Sequence, residues 1–127
     1  MSYQYVVRSK KDKTGGEEKV RYYGVPVVTG QILTSELAEE VADRCSLTRG
    51  DVLAAISELS AVMKMWLSGG YSVNLDRIGS FSLSASSPGC VTPEECTPGK
   101  VKAQRVCFKA SPEMREIVEK VKFEKKK

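Results

Sequence analysis

The sequence contains no histidine among its 127 residues. Without histidine the chain lacks the usual general base near neutral pH, the Ser-His-Asp and Cys-His triads, and a common zinc ligand. No group of carboxylates, cysteines or lysines has a recognisable catalytic arrangement. The composition therefore disfavours an enzyme, and we expect no metal, no cofactor and no small-molecule substrate.

Long apolar runs are also absent, since no window approaches 18 uninterrupted apolar residues and the first residues carry no signal-peptide pattern. We therefore expect a cytoplasmic protein with no membrane partner and with reduced cysteines. Cys45 and Cys107 lie in apolar patterns and are predicted core residues. Cys90 and Cys96 lie in a loop rich in proline and glycine, where the spacing fits either free thiols or a disulfide.

The charge of the chain is small on average but unevenly distributed. Hydrophobic residues make up 41% and charged residues 28%, which suits one packed domain, and the net charge is +4. Residues 31–68 carry a net charge of −3, whereas residues 1–30, 69–110 and 111–127 carry +3, +2 and +2. We therefore expect any anion-binding surface to lie outside residues 31–68.

The first half of the chain predicts a β-hairpin followed by two helices. Residues 1–30 contain two β-prone runs around Gly15-Gly16. A first helix is predicted from Thr34, and a second begins with a capping box formed by Thr48 and Asp51. The second helix is expected to end at Gly69-Gly70 after about 20 residues.

The second helix carries an apolar stripe that is wider than one small chain readily covers. An obligate homodimer explains this stripe. The predicted dimer core, with one residue from the following strands, comprises Val52, Ile56, Leu59, Met63, Trp66 and Phe81.

The second half of the chain predicts strands and a final helix. Apolar residues alternate over residues 71–75 and 81–85, which indicates a tight hairpin, and residues 100–109 are β-prone again. The prolines and glycines of residues 86–99 exclude a helix or central strand there. Ser111-Pro112 predicts a C-terminal helix start, and Lys125 to Lys127 are expected to form a frayed tail. The fold class is therefore α+β.

From Thr34 onward the chain resembles the HU and integration host factor family of bacterial architectural DNA-binding proteins. Arg77 stands where that family has glycine, and Ile78 where it usually has an aromatic residue. The segments that carry the resemblance are Leu37 to Ala42, Ser46 to Thr48, Asp51 to Leu67, Leu67 to Val73, Ile78 to Phe81, Thr97 to Lys102 and Phe108 to Pro112.

The resemblance implies an intertwined homodimer with two helical layers below a saddle of strands. Each subunit would extend a β-arm, here about residues 84–105, along the minor groove and bend the duplex. The domain of this type would span residues 31–127, and residues 1–30 look like the β extension of a subgroup. The implied function is sequence-nonspecific, histone-like binding and condensation of double-stranded DNA in the nucleoid.

The resemblance and the charge pattern together nominate site residues. Strand alternation predicts that Lys100 and Lys102 share a face. The candidate DNA-binding residues are Arg77, Lys100, Lys102, Arg105 and Lys109; the candidate intercalating wedges are Pro98 and Pro93; and the candidate accessory phosphate contacts are Lys10, Lys11, Lys13, Lys19 and Arg21.

A second reading of the same features is a protein-interaction or assembly dimer that keeps the HU-like fold and has little affinity for DNA. The modest net charge favours it, as do Glu94 and Glu95, which stand where the family has its basic wedge sequence. In this alternative the N-terminal extension pairs with another sheet edge.

Overall fold

The computed structural model describes residues 1–13 and 15–127. It has two compact units, Thr34–Glu116 and the combination of Met1–Leu33 with Ile117–Lys127. The α+β class is confirmed. In chain order the elements are β1 (Tyr3–Asp12), β2 (Lys19–Pro26), α1 (Thr34–Arg44), α2 (Arg49–Ser68), β3 (Val73–Leu75), β4 (Gly79–Ser86), β5 (Lys102–Ala110), α3 (Pro112–Arg115), α4 (Ile117–Lys120) and β6 (Phe123–Lys125).

The predicted capping box at the start of α2 is confirmed. The Thr48 hydroxyl accepts a hydrogen bond from the Asp51 backbone N–H, and the Asp51 carboxylate accepts one from the Thr48 N–H, both at 3.1 Å. At the other end Gly70 adopts a φ of 90°. The Trp66 ring meets Tyr71 edge-on at 5.1 Å between centroids, which joins the end of α2 to the chain entering β3.

Strands β3, β4 and β5 form an antiparallel sheet in that order. The paired Phe81 and Phe108 rings are 4.9 Å apart. Gly79 is required beside them, because a Cβ there would collide with the Lys109 carbonyl oxygen and lie 2.6 Å from the Phe108 ring. These aromatic contacts fix the register between the strands.

Paired strands form the base of the predicted β-arm of about residues 84–105, whose full extent stays a prediction. The β4–β5 ladder ends at the pair Ser86 and Lys102. The connecting residues 87–101 contain two 3₁₀ turns, which begin at Pro93 and Pro98. The expected shared strand face of Lys100 and Lys102 is therefore wrong, because Pro98 starts a turn that takes Lys100 out of the alternation.

The other unit is a sheet in the order β2-β1-β6, with β1–β2 antiparallel and β1–β6 parallel. The prediction of a frayed tail is wrong at Lys125, which pairs with Tyr5 in the ladder. The free edge of β1 supplies the backbone partners that hold this strand. The Phe123 and Tyr3 rings also approach to 5.4 Å. The predicted C-terminal helix consists of the single turns α3 and α4.

Few apolar side chains are covered within one chain. Among the described residues the buried hydrophobic ones are Ala38, Val52 and Leu67. Cys45 is exposed, so within a single chain it is not the core residue that the sequence predicts, because nothing in that chain covers its side of α1. Cys107 is half-buried.

The predicted dimer core is largely accessible in the single chain. Ile56, Leu59 and Trp66 are 40–46% exposed, whereas Met63 and Phe81 are half-buried. Their role at a dimer interface stays a prediction. Over the described ranges, no helix combines the length and apolar character that crossing a membrane requires.

Candidate nucleic-acid interface

The β3–β4–β5 sheet has two chemically different faces, because side chains alternate along each strand and directly paired residues share a face. The serines of β4 lie on the polar face. The apolar face carries Val73, Leu75, Phe81, Leu83, Val106 and Phe108. The polar face carries Asn74, Ser80, Ser82, Ser84, Ser86, Lys102, Arg105, Cys107 and Lys109.

A β-bulge places Lys102 on the same polar face as Arg105 and Lys109. Ser84 pairs with Arg105 but Ala85 pairs with Ala103, so Gln104 is the extra residue of β5. Without the bulge, strict alternation would put Lys102 on the face opposite Arg105. The bulge instead pairs Lys102 with Ser86, and the Gln104 amide donates a hydrogen bond to the Ser86 hydroxyl at 2.5 Å.

The polar face is positively charged along its strands, and the carboxylates Asp76 and Glu113 border it at the Asn74 end. Strands β3, β4 and β5 contain no aspartate or glutamate. Lys102, Arg105 and Lys109 are exposed, and in the described part of the chain none of them has a carboxylate within ion-pair distance. Such a face offers cationic side chains and serine hydroxyls to a phosphate backbone. We name this set, Lys102, Arg105 and Lys109, the sheet cations.

Arg77 lies in the turn between β3 and β4. Its φ of 70° is in the left-handed region, and the Ile78 N–H donates to the Leu75 carbonyl across the turn at 3.0 Å. Glycine adopts this conformation without strain, which explains the family's preference for glycine here. The Arg77 guanidinium lies 3.8 Å from the Glu113 carboxylate, and both side chains are more than 60% exposed.

The loop of residues 87–101 holds both candidate wedges, and it is acidic beside one of them. Pro93 is followed directly by Glu94 and Glu95, and the Glu95 carboxylate accepts a hydrogen bond from the Val91 N–H at 3.3 Å. Pro98 is followed by Gly99 and the exposed Lys100. Repulsion from phosphate is therefore stronger at Pro93 than at Pro98.

Cys90 and Cys96 are free thiols and line one cavity of about 480 Å³ in the same loop. The choice between free thiols and a disulfide in solution stays a prediction. The described residues contain no cluster of three or more cysteine, aspartate or glutamate side chains suited to a metal ion.

The extension separates the predicted accessory residues. Lys10, Lys19 and Arg21 share one face of β1–β2, while Lys11 lies on the other face with Glu18 at 3.2 Å. Lys13 lies beyond the end of β1.

Arg8 belongs to the same face as Lys10, and the sequence analysis missed it. Arg8 and Lys10 are two residues apart in β1 and therefore share a side of the strand. The same two-residue alternation marks the serines of β4 from Ser80 to Ser86. The alternation of residue types in the sequence could therefore have identified both Arg8 and the β4 serines as members of a polar strand face.

A family model described as HU domain fused to wHTH, Ig, or Glycine-rich motif (HU-HIG) matches residues 1–125. Among solved structures, the fold is similar to a candidate bacterial DNA-binding protein from Bacteroides vulgatus ATCC 8482, with a TM-score of 0.64 and 11% identity. That alignment covers 98% of this chain and 48% of the other, so the chain spans about half its length.

The fold is also similar to Anabaena HU from an HU–DNA cocrystal structure. The TM-score is 0.51 and the identity 22%, over 68% of this chain and 97% of that one. A comparison with curated proteins finds no match. At these identities, both structural likenesses describe the fold.

Proposed function

The chain belongs to the HU-HIG family, in which an HU domain is fused to a wHTH, Ig or glycine-rich motif, and on this premise we propose that it is an architectural DNA-binding protein that acts as a homodimer. Its binding partner is double-stranded DNA of any sequence. A protein with this activity acts on the nucleoid. The observation that carries the proposal is the polar face of the β3–β4–β5 sheet, with its sheet cations and its lack of carboxylates.

Contacts to phosphate explain binding without sequence preference. Lysine, arginine and serine side chains bind phosphate oxygens, which are the same at every base pair. Cross-strand pairing sets the spacing of the sheet cations: their β4 partners Ser80, Ser84 and Ser86 are separated by about 14 Å and about 7 Å along the strand. The face therefore meets a row of phosphates rather than a single anion.

The HU resemblance supports a minor-groove role for the loop of residues 87–101, which extends from the same two strands. In this proposal Lys100 adds a phosphate contact at the loop. Pro98, which precedes Gly99-Lys100, is the better-placed wedge, and Pro93 is disfavoured by Glu94 and Glu95. Arg77 is a further proposed contact from the β3–β4 turn.

The salt dependence of duplex binding tests the proposal. The triple variant Lys102→Gln/Arg105→Gln/Lys109→Gln removes the sheet cations without reversing any charge. The slope of log K against log salt is negative, and each lost phosphate contact reduces its magnitude by about 0.9. We therefore expect the magnitude of the slope to fall by about 2.7 per bound chain. Fluorescence anisotropy with a random-sequence duplex at several salt concentrations measures this slope.

The matched control is Arg44→Gln/Arg49→Gln/Lys64→Gln, which removes the same charge from exposed positions of α1 and α2. We expect a slope close to that of the unmodified chain. An unmodified chain that binds no duplex at low salt contradicts the proposed function. Equal losses in both variants contradict the assignment to the sheet face.

The assembly dimer remains the second candidate, because Glu94 and Glu95 bring negative charge into the loop that HU-like proteins use on DNA. The outer edge of β2 also has no strand beside it in the described residues. The same anisotropy titration separates the two candidates. Absence of binding together with a stable oligomer in light scattering favours assembly.

A further inference from the structure

The β1–β2 hairpin is a longer two-stranded ribbon than the strand-paired part of the predicted arm. Its ladder runs from Tyr5 and Pro26 to Asp12 and Lys19. Strand β6 pairs only with Tyr3 to Tyr5, so beyond Tyr5 the hairpin has two strands. A two-stranded β-ribbon has the dimensions of an element that fits a DNA groove.

One face of this ribbon is cationic along its outer half. Cross-strand pairing puts Arg8 opposite Tyr23, Lys10 opposite Arg21, and Asp12 opposite Lys19, all on that face. We name Arg8, Lys10, Lys19 and Arg21 the ribbon cations. All four are exposed, and Asp12 is the one carboxylate among these six positions.

The pair formed by Lys10 and Arg21 is unfavourable for the isolated hairpin. Like charges directly opposite each other in a ladder are destabilising. Here they lie between the pair of Arg8 with Tyr23, which carries one positive charge, and the oppositely charged pair of Asp12 with Lys19. The Arg21 guanidinium contacts the Asp12 carboxylate at 3.2 Å, which offsets part of the repulsion. A polyanion that meets this face would offset the rest.

The opposite face of the sheet has a different composition, so the charge is not simply that of a solvated ribbon. It carries Tyr3, Tyr5 and Phe123 near the base and Tyr22 in the outer half. Lys11 on this face is paired with Glu18. On the cationic face, Arg8, Lys10 and Tyr23 border a surface concavity of about 420 Å³. Tyr23 is 45% exposed there.

From these observations we propose that the β1–β2 ribbon is a second DNA-binding element, and that its ribbon cations contact the phosphate backbone of the duplex. Arg8 and Lys10 lie about 7 Å apart along β1, so they engage successive anionic groups rather than one. Tyr23 supplies an apolar surface beside them that packs against the sugars. The inference rests on the proposed function and extends it to the N-terminal unit.

The test uses the full chain and the double variant Arg8→Gln/Lys10→Gln. Neither side chain has an ion-pair partner in the described residues, so its removal leaves no orphaned carboxylate. On a random-sequence duplex, we expect the magnitude of the slope of log K against log salt to fall by about 1.8 per bound chain. Binding at fixed salt should also be weaker. Circular dichroism checks that the variant is folded.

The matched control is Lys11→Gln/Lys125→Gln, which removes two charges from the opposite face of the same sheet. Its slope should stay close to that of the unmodified chain. If the unmodified chain binds DNA and Arg8→Gln/Lys10→Gln keeps the full slope, the inference is wrong and the proposed function stands. Equal losses in both variants also overturn it, because the charge then acts without regard to face.

A chain that binds no duplex under any salt condition overturns the proposed function and this inference with it. A loss of slope in Lys102→Gln/Arg105→Gln/Lys109→Gln, together with none in Arg8→Gln/Lys10→Gln, restricts binding to the sheet cations. Losses in both variants, with both controls unchanged, support two separate elements on one chain.

Discussion

At the scale of single residues, the turn and strand around residues 77–81 show how backbone conformation restricts the sequence. Arg77 tolerates a left-handed φ of 70°, a conformation that costs a non-glycine residue about 1 kcal/mol. Gly79 has no such latitude, since the Lys109 carbonyl and the Phe108 ring occupy the space of a side chain. Arg77 and Gly79 differ in the side chains they accept, because position 77 is exposed to solvent and position 79 packs against β5.

Replacing Gly79 with alanine should lower the free energy of unfolding by about 2–3 kcal/mol, because either β5 or the Phe108 ring must move. Chemical denaturation at fixed protein concentration measures the change. Gly89→Ala is the control, since a Cβ there meets nothing within 4 Å. Equal stability of the two variants would contradict the close contact.

At the scale of elements, local hydrogen bonds and one extra residue decide what the helices and strands present. Thr48 and Asp51 satisfy two backbone donors at the start of α2. In β5 the bulge at Gln104 turns Lys102 onto the side of the sheet that carries Arg105. The capping box can be read from the sequence, whereas the bulge depends on how two strands pair.

The Thr48→Ala variant should lose about 1 kcal/mol of stability, because one helix N–H loses its acceptor. Thr97→Ala is a suitable comparison: Thr97 caps a 3₁₀ turn without a side-chain hydrogen bond. We expect that variant to change stability by less than about 0.5 kcal/mol. Thermal unfolding followed by circular dichroism at equal concentrations distinguishes them, and comparable losses would count against the capping box.

At the scale of the whole molecule, one chain exposes more surface than a globular monomer of its mass. It amounts to 11,031 Å². A globular monomer of this mass exposes about 6,700 Å², and two separate globules the size of the two units expose about 8,000 Å². The excess includes Ile56, Leu59 and Trp66 on α2. A second copy that covers this apolar stripe would remove part of the excess, which is consistent with the proposed homodimer.

Unfolding of such a dimer should depend on protein concentration. We expect the thermal midpoint to rise with concentration, because association is coupled to folding. Ile56→Asp should weaken the dimer by burying a charge, whereas Ser57→Asp, one position away on an exposed side of α2, should not. Sedimentation equilibrium measures the mass; a folded monomer with a concentration-independent midpoint would contradict the dimer.

Helices α1 and α2, the capping box of α2 and the β4 alternation followed from the sequence, because each depends on residues close together in the chain. The HU-like resemblance followed from the order of these elements, and the family match supports it. The turn at Lys100 did not follow, since Pro98 both fits a strand end and starts a turn. The position of Lys125 beside Tyr5 also escaped, because more than 100 residues separate the two strands.

The sequence by itself determined the α+β class, the absence of histidine chemistry and the presence of basic segments around an acidic helical body. These are properties of composition and local periodicity. Only the tertiary structure decided which cations from different parts of the chain share a face: the Gln104 bulge unites Lys102 with Arg105, and hairpin pairing puts Arg21 opposite Lys10. The reason is physical, since the facing of a strand residue depends on its register with a distant partner.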